Sequence, residues 1–306
     1  MNRSFHVEQP PLEAVLACPI CTNDRWSVIG SPTDHTASGQ DFTITRCDQC
    51  GFYATNPRPT QQGIGRYYIA PSYVSHNNQT RNLKDRVYRA VRKLTIQNKH
   101  KLIADLKPNG RVLDMGCGTG EFLAYMKSQG YLVQGIEPGL SAREQALANH
   151  ALDVVPDLNM VPGQEQFQVI TLWHVLEHVH DLHDTLKRLY ARLSPGGFLV
   201  IAVPDRDSWD AQHYGMDWAA YDVPRHLSHF RQQDVHRLLS DHGFRCKKDH
   251  RMWFDAPYVS MLSEQNKGKS AGTAFLLGVL FGLWSNLQAF LGRPTSSTLY
   301  IAQKLP

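Results

Sequence analysis

At 306 residues, with 42% hydrophobic and 20% charged residues, the chain is long enough to bury a sizeable core and too apolar for a disordered polymer. Its formal charge of +4 is too small to mark a general polyanion binder, and the N-terminal MNRSFHVEQPPLEAVLACP lacks the apolar stretch of a secretory signal. A cytoplasmic location with reduced thiols is therefore expected, and the length fits a medium domain with a small appendage.

The first motifs in the chain are CPIC and CDQC, which supply Cys18, Cys21, Cys47 and Cys50 with 25 residues between the two pairs. Each CxxC turn can bring two thiolates to one metal, and two such turns complete a tetrahedral all-sulfur site. With four protein ligands the ion has no open position, so its role is expected to be structural. Residues 1–60 thus read as a zinc ribbon, with FTITRC as a strand and Gly51 serving the tight turn after the second pair; a redox CxxC pair is the other reading. Cys117 and Cys246 lie far from this module.

Residues 61–110 read as a helical linker or cap. Between Arg81 and Lys101, eight Lys/Arg (Arg81, Lys84, Arg86, Arg89, Arg92, Lys93, Lys99, Lys101) stand against Asp85 alone, with Leu83, Val87, Val91 and Leu94 at helical spacing. This predicts an amphipathic helix whose cationic face is either simply solvated or turned to an anionic partner, such as a phosphate-bearing substrate or lipid headgroups.

From Arg111 the texture changes. RVLDM ends in GCGTG, a helical EFLAYMKSQG follows, and YLVQGIEPG repeats the strand-to-turn pattern. The glycines Gly116, Gly118 and Gly120 are spaced GxGxG, where a dinucleotide loop prefers GxGxxG. Asp114 can order this loop and meet a cationic amino-acid group, and Glu137, at the end of the second strand, can accept hydrogen bonds from both hydroxyls of a ribose. Together they point to a nucleoside cofactor without a pyrophosphate.

At these residues the sequence resembles the class I S-adenosylmethionine-dependent methyltransferases, from about Arg111 to the C-terminus. The resemblance implies a doubly wound α/β sheet over residues 111–306, interrupted by insertions at about 205–230 and 255–296. It places Asp114, Gly116 and Gly118 around the methionine part of the cofactor, Glu137 at the ribose, and Asp157 and Leu158, after LDVVP, beside the adenine. Cys117, Gly120, Pro138, Trp173 and His174 complete the expected cofactor-binding set. FQVITLWHVLEHV, LSPGGFLVIAVPD, GFRCKKDHRMW and STLYIAQKLP resemble, in order, the fourth strand with its turn, the helix end, turn and fifth strand, and the closing antiparallel pair. Gln168 departs from the Asp that the family often has there.

Methyl transfer is an in-line displacement, so an acceptor must be aligned and, for a hydroxyl or carbon acid, deprotonated. In WHVLEHVHD, His174 and His178 stand four apart and share a face if the turn is helical, either for chemistry or to line the cofactor pocket. The long segment PDRDSWDAQHYGMDWAAYDVPRHLSHF follows the fifth strand and is rich in Tyr, His and Trp. YDVPRHLSHF resembles what zinc-ribbon-bearing bacterial methyltransferases carry here, and its placement is similar to the His-containing loop of deoxysugar C-methyltransferases. That likeness implies His226 as general base, with Tyr221, Arg225 and His229 positioning the acceptor; the plainer reading has these histidines cap the following helix.

Finally, residues 270–292 carry no charge. A transmembrane span would put STLYIAQK across the bilayer from its sheet, so a buried or dimer-forming helix, or an interfacial membrane helix, is expected. The function expected is methyl transfer from S-adenosylmethionine to oxygen or carbon of a small acceptor, such as a sugar, a carrier-linked glycan precursor or a quinone-like phenol, in a cytoplasmic protein with peripheral membrane contact open. A nucleic-acid methyltransferase using the ribbon as reader is disfavoured by WHVLEHV in place of an NPPY-like turn. A non-catalytic cofactor-binding scaffold is the other alternative.

Overall fold

The computed structural model describes residues 11–68, 83–161 and 166–305. The N-terminal part runs through strands β1 (Leu12–Glu13), β2 (Trp26–Gly30), β3 (Ile44–Cys47), β4 (Tyr53–Thr55) and β5 (Arg58–Pro59). Helix α1 (Leu83–Leu106) precedes an alternating series: β6 (Arg111–Met115), α2 (Glu121–Ser128), β7 (Leu132–Ile136), α3 (Leu140–His150), β8 (Val154–Val155), β9 (Phe167–Trp173), α4 (Leu182–Arg192) and β10 (Leu193–Pro204). Then come α5 (Trp209–Tyr214), β11 (Ser228–His229), α6 (Gln232–Asp241), β12 (Phe244–Arg251), α7 (Asp255–Asn266), α8 (Ala271–Phe290) and β13 (Ser297–Lys304). Arg81, counted in the basic stretch, lies outside the described residues.

The chain divides into two compact units. One comprises Met1–Asn77, Asp205–Arg231 and Trp253–Ser296; the other comprises Asn78–Pro204, Gln232–Met252 and Ser297–Pro306.

The second unit is built on a seven-stranded sheet of order β12-β13-β10-β9-β6-β7-β8. The five strands from β10 to β8 are parallel to their neighbours, and β13 pairs antiparallel with both β10 and β12, giving a Rossmann-like α/β fold with a mixed sheet. The central strands are apolar along nearly their whole length because helices cover both faces of such a sheet; β10 is buried without a break from Leu199 to Pro204. The outermost strand β12 (FRCKKDHR) carries charges on its exposed positions and β8 has only two residues, two ways of blunting a sheet edge. Ile103 of α1, Phe122 and Met126 of α2, Val112, Val169 and Val200 pack into one core cluster. The turn expected in LSPGG is instead an irregularity within β10, where the register with β9 shifts between Leu193 and Phe198 and Gly196 takes φ 67°.

The first unit contains a four-stranded antiparallel sheet of order β11-β4-β3-β2 and the small pair β1-β5. Phe42, Ile44, Tyr67, Ala211, Tyr214, Trp218, Tyr221 and Val223 form its core. The segment after β10 is thus folded onto the N-terminal strands: β11 pairs with β4 through Ser228↔Ala54 and His229↔Tyr53.

Candidate functional site

In the second unit the chain order steps outward from β6 to β7 and β8, then returns to place β9 and β10 on the other side of β6. The reversal at β6 and β9 is the switch point at which ligands bind in open α/β sheets, outside the carboxyl ends of the strands. Asp114 and Thr171 are register partners across this pair, and the Thr171 hydroxyl donates to Asp114 Oδ1 at 2.6 Å. Asp114 is 3% exposed. Burial pushes its carboxyl up to about 7, against the opposing pull of Thr171 and Lys99.

The loop after β6 folds back over β7, with Gly116 N and Cys117 N both donating to Ile136 O at 2.7 and 3.0 Å. Gly116, Gly118 and Gly120 have φ of 72°, 55° and 84°. A Cβ on Gly116 would lie 2.4 Å from Val175 Cγ2 and one on Gly120 2.7 Å from Leu152 Cδ1, so these two glycines serve close packing. A Cβ on Gly118 would meet nothing within 4 Å, which leaves that stretch of backbone approachable. Glu137 ties the two turns together, accepting from Gly118 N at 3.0 Å on Oε2 and from Gly139 N at 2.8 Å on Oε1. An ionised carboxylate has about four acceptor positions, so this one retains capacity for two further hydroxyl donors. Pro138 sits in the same turn, its carbonyl held by Arg143 at 2.6 Å. The Cys117 thiol is raised by burial and by the nearby carboxylates Asp114 and Glu137, which keeps it protonated.

After β8, Asp157 accepts from Asn159 N at 2.7 Å, opening a short turn that buries Leu158. After β9, His174 takes φ 57° and its N–H bonds to Ala202 O at 2.9 Å, before a single helical turn over Leu176–His178. The left-handed residue therefore lies outside that turn, and His174 and His178 do not share one helix face as a helical run would require. His174 Nδ1 lies 3.5 Å from Glu177 Oε1. Trp173 Nε1 is buried without a hydrogen-bond partner, and the Lys99 ammonium stands 4.1 Å from the centre of its ring. Lys99 and Thr171 were not singled out as site residues from sequence: Lys99 read only as one cation among eight, and Thr171 acquires its role from strand register. Gln168 holds the start of β6, accepting from Arg111 N at 2.6 Å and donating to Ser194 Oγ at 3.1 Å.

In the first unit, the sulfurs of Cys18, Cys21, Cys47 and Cys50 all lie within 4.8 Å of one another, with 3.5 Å for Cys18–Cys50 and for Cys21–Cys47. A tetrahedron with metal–sulfur bonds of about 2.3 Å has sulfur separations of about 3.8 Å, so the cluster could hold one ion. Burial raises the Cys47 thiol, but the N–H groups of Cys50 and Gln49 outweigh it and hold it down to about 7. Gly51 takes φ 76° in the turn after Cys50.

The same unit holds the histidine-rich insertion. Arg225 is buried and completes a network with Asp34 at 3.1 Å, the Tyr67 carbonyl at 3.1 Å and Asp222 through Nε at 2.9 Å. The Thr55 hydroxyl donates to His226 O at 2.7 Å, so at 3.1 Å from His229 Nε2 it can only accept, which fixes the Nε2–H tautomer of His229. Burial, aided by His226 and Arg206, holds His229 well below the usual imidazole range, so it is neutral at pH 7. Its ring packs edge-on against buried Tyr221 at 5.1 Å. His226 Nδ1 lies 2.8 Å from the Ala220 carbonyl; donating there, it leaves the lone pair on Nε2, 3.9 Å from Asp222 Oδ2.

The second unit is thus a mixed Rossmann-like sheet with an acid, a glycine loop and a second acid at its switch point. The chain matches the methyltransferase domain family over residues 87–248, more than half its length, and belongs to that family. It is 33% identical over 103 residues to the ubiquinone biosynthesis O-methyltransferase of Bradyrhizobium diazoefficiens, covering 32% of this chain and 41% of that one. It is 27% identical over 173 residues to the malonyl-(acyl-carrier protein) O-methyltransferase of Enterobacter lignolyticus, covering 54% of this chain and 61% of the relative. The chain thus spans about two to three fifths of the length of these relatives. Its fold is shared with magnesium protoporphyrin IX methyltransferase (ChlM) from Synechocystis PCC 6803, solved with bound SAH, at a TM-score of 0.52 and 14% identity over 79% of this chain and 99% of that one.

Proposed function

We propose that the protein transfers a methyl group from S-adenosylmethionine to an oxygen of a small-molecule acceptor, of the sugar, carrier-linked glycan precursor or quinone-like phenol class. The observation that carries this reading is the pairing of a buried acid at the switch point, Asp114, with a loop-anchored acid, Glu137. Family membership supports it, and so do two relatives named as O-methyltransferases on chemically different acceptors.

When bound, S-adenosylmethionine supplies a sulfonium methyl carbon as electrophile. Asp114 would offer a desolvated carboxylate to the cationic amino-acid end, and such a cation would favour the ionised form that burial disfavours. Glu137 would take the ribose hydroxyls on its remaining lone pairs, Gly118 would permit close approach of the backbone, and Asp157 and Leu158 would hold the adenine. Trp173 and His174, at the end of β9, would stand at the edge of the bound cofactor. For the acceptor, the Nδ1–H bond to Ala220 would orient His226 so that Nε2 takes the hydroxyl proton, and Tyr221, Arg225 and His229, all buried, would position the acceptor through the loop they hold in shape. His174 and His178 are the alternative bases.

The four cysteines are assigned to one structural zinc ion, which would staple the turns of residues 1–60 without taking part in the reaction. On this reading residues 61–110 link the ribbon to a catalytic domain over 111–306, with its insertions at about 205–230 and 255–296.

A methyl-transfer assay with tritiated S-adenosylmethionine and a panel of hydroxylated acceptors tests the proposal. His226→Ala is expected to lower turnover by about 100-fold or more while cofactor affinity stays unchanged. Undiminished turnover in that variant would remove the assignment of the base.

A further inference from the structure

The uncharged C-terminal stretch is folded inside out. Along α8 the buried positions are Ala274, Gly278, Gly282, Ser285 and Ala289. The large side chains point the other way: Leu276, Leu280, Leu283 and Phe290 are 70%, 60%, 59% and 74% exposed, with Phe275 and Trp284 beside them. A helix in a water-soluble core buries its large apolar residues and exposes its small and polar ones. Here the small residues serve helix contact, since a Cβ on Gly278 would sit 2.4 Å from Met261 Cα and one on Gly282 2.3 Å from Pro257 Cα, both in α7. Small residues between helices and large apolar residues facing outward is the packing logic of lipid-exposed helices.

Polar pins fix this orientation. Ser285 donates to buried Asp210 at 2.7 Å, Asp210 also accepts from Trp218 Nε1 at 2.9 Å, and Asn286 Nδ2 donates to the Trp253 carbonyl at 2.8 Å. The start of α7 adds exposed Trp253, Phe254 and Tyr258, residue types that settle at membrane–water boundaries.

Charge then selects the occupant. No acidic residue follows Glu264, whereas Lys267 and Lys269 are exposed between α7 and α8 and Arg293 is exposed just past α8. With three exposed cations at the two ends of α8 against one exposed acid nearby, Asp217, whose carbonyl accepts from Asn266, the stripe carries a net positive charge that a two-fold contact between copies would bring together. That charge complements anionic headgroups. The flanking strands β12 and β13 pair with each other, so a crossing by α8 would need a second one by α7, which at 12 residues is too short to span a bilayer. Over 20 residues α8 extends about 30 Å, which suits a helix lying in the interface plane.

We propose that the α7–α8 hairpin is a monotopic membrane anchor that lays its outer face into the headgroup–acyl boundary of an anionic bilayer. This needs neither cofactor nor acceptor and stands apart from the methyl-transfer reading.

Co-sedimentation of the full chain with phosphatidylcholine vesicles, with and without phosphatidylglycerol, tests it. The wild type is expected to pellet with the phosphatidylglycerol vesicles. Combining Leu280→Glu with Leu283→Glu, both exposed, is expected to weaken partitioning about tenfold or more with an unchanged circular dichroism spectrum. Lys267→Gln with Lys269→Gln is expected to lessen the preference for phosphatidylglycerol. In the wild type itself, brominated acyl chains are expected to quench tryptophan fluorescence. The proposal is overturned if the wild type stays in the supernatant with both vesicles, if the double Glu variant pellets equally well, or if neutral vesicles bind as strongly as anionic ones. A dimer that the Glu variant dissociates, without vesicle binding, would assign the face to a second copy instead.

Discussion

Asp114 gives the site its sharpest pH signature. Its carboxyl is raised from 3.8 to about 7 by burial, so the folded protein without ligand binds a proton that the unfolded chain releases. Stability contributed by this group is full below the unfolded value and is lost as pH rises from about 4 through about 7. A cationic ligand reverses the preference by requiring the ionised form. Cofactor affinity is therefore expected to rise roughly tenfold from pH 6 to pH 8 and to be flat and weak in Asp114→Asn, as calorimetry across that range would report. Arg225 supports a prediction of another kind. Its guanidinium side chain is 1% exposed and that of Asp34 0%, so Arg225→Ala removes the cationic partner of a buried carboxylate that keeps its donors from Thr36, Ala37 and Ser38, and is expected to destabilise the fold by about 3 kcal/mol in urea unfolding. Asp34 and Arg225 stand 191 positions apart, and nothing local marks either as the other's partner. By contrast Asp114 and Glu137 could be named from the chain because each ends a strand beside a glycine turn, where local spacing carries the information.

Elements separate along the same line. β6 and β7 were readable as short apolar runs beside glycine turns, and β8 to β10, β12 and β13 through the resemblance to the methyltransferase family. β11 was not: two residues have no periodicity, and its partner β4 lies far away in the chain. The condition set for His174 and His178 to share a face, a helical turn, is not met, because His174 takes a positive φ where its N–H bonds to Ala202 O across the sheet. The cysteine turns were legible as motifs, and the sheet β2-β3-β4 brings their sulfurs together. If zinc staples them, the purified chain is expected to carry one equivalent by elemental analysis. Removing it, or making Cys18→Ser with Cys47→Ser, should lower the thermal midpoint by about 5 °C or more. An unchanged midpoint in metal-free protein would deny the ion a structural role.

At the scale of the whole molecule, the chain interleaves two compact units, one carrying the cofactor-type switch point and the other the cysteine cluster, the histidine-rich insertion and the α7–α8 hairpin. Composition could not reveal this interleaving, because the first unit is assembled from three separated segments whose cohesion is tertiary: Trp218 and Tyr221 of the insertion join Phe42 and Ile44 of the ribbon region in one core. The proposed function rests on S-adenosylmethionine binding at the switch point of the second unit through Asp114 and Glu137. Isothermal titration of the full chain with S-adenosylhomocysteine at pH 8 tests this most directly. One saturable site per chain that is lost in Glu137→Ala is the predicted result; no binding, or binding undiminished in that variant, would contradict it.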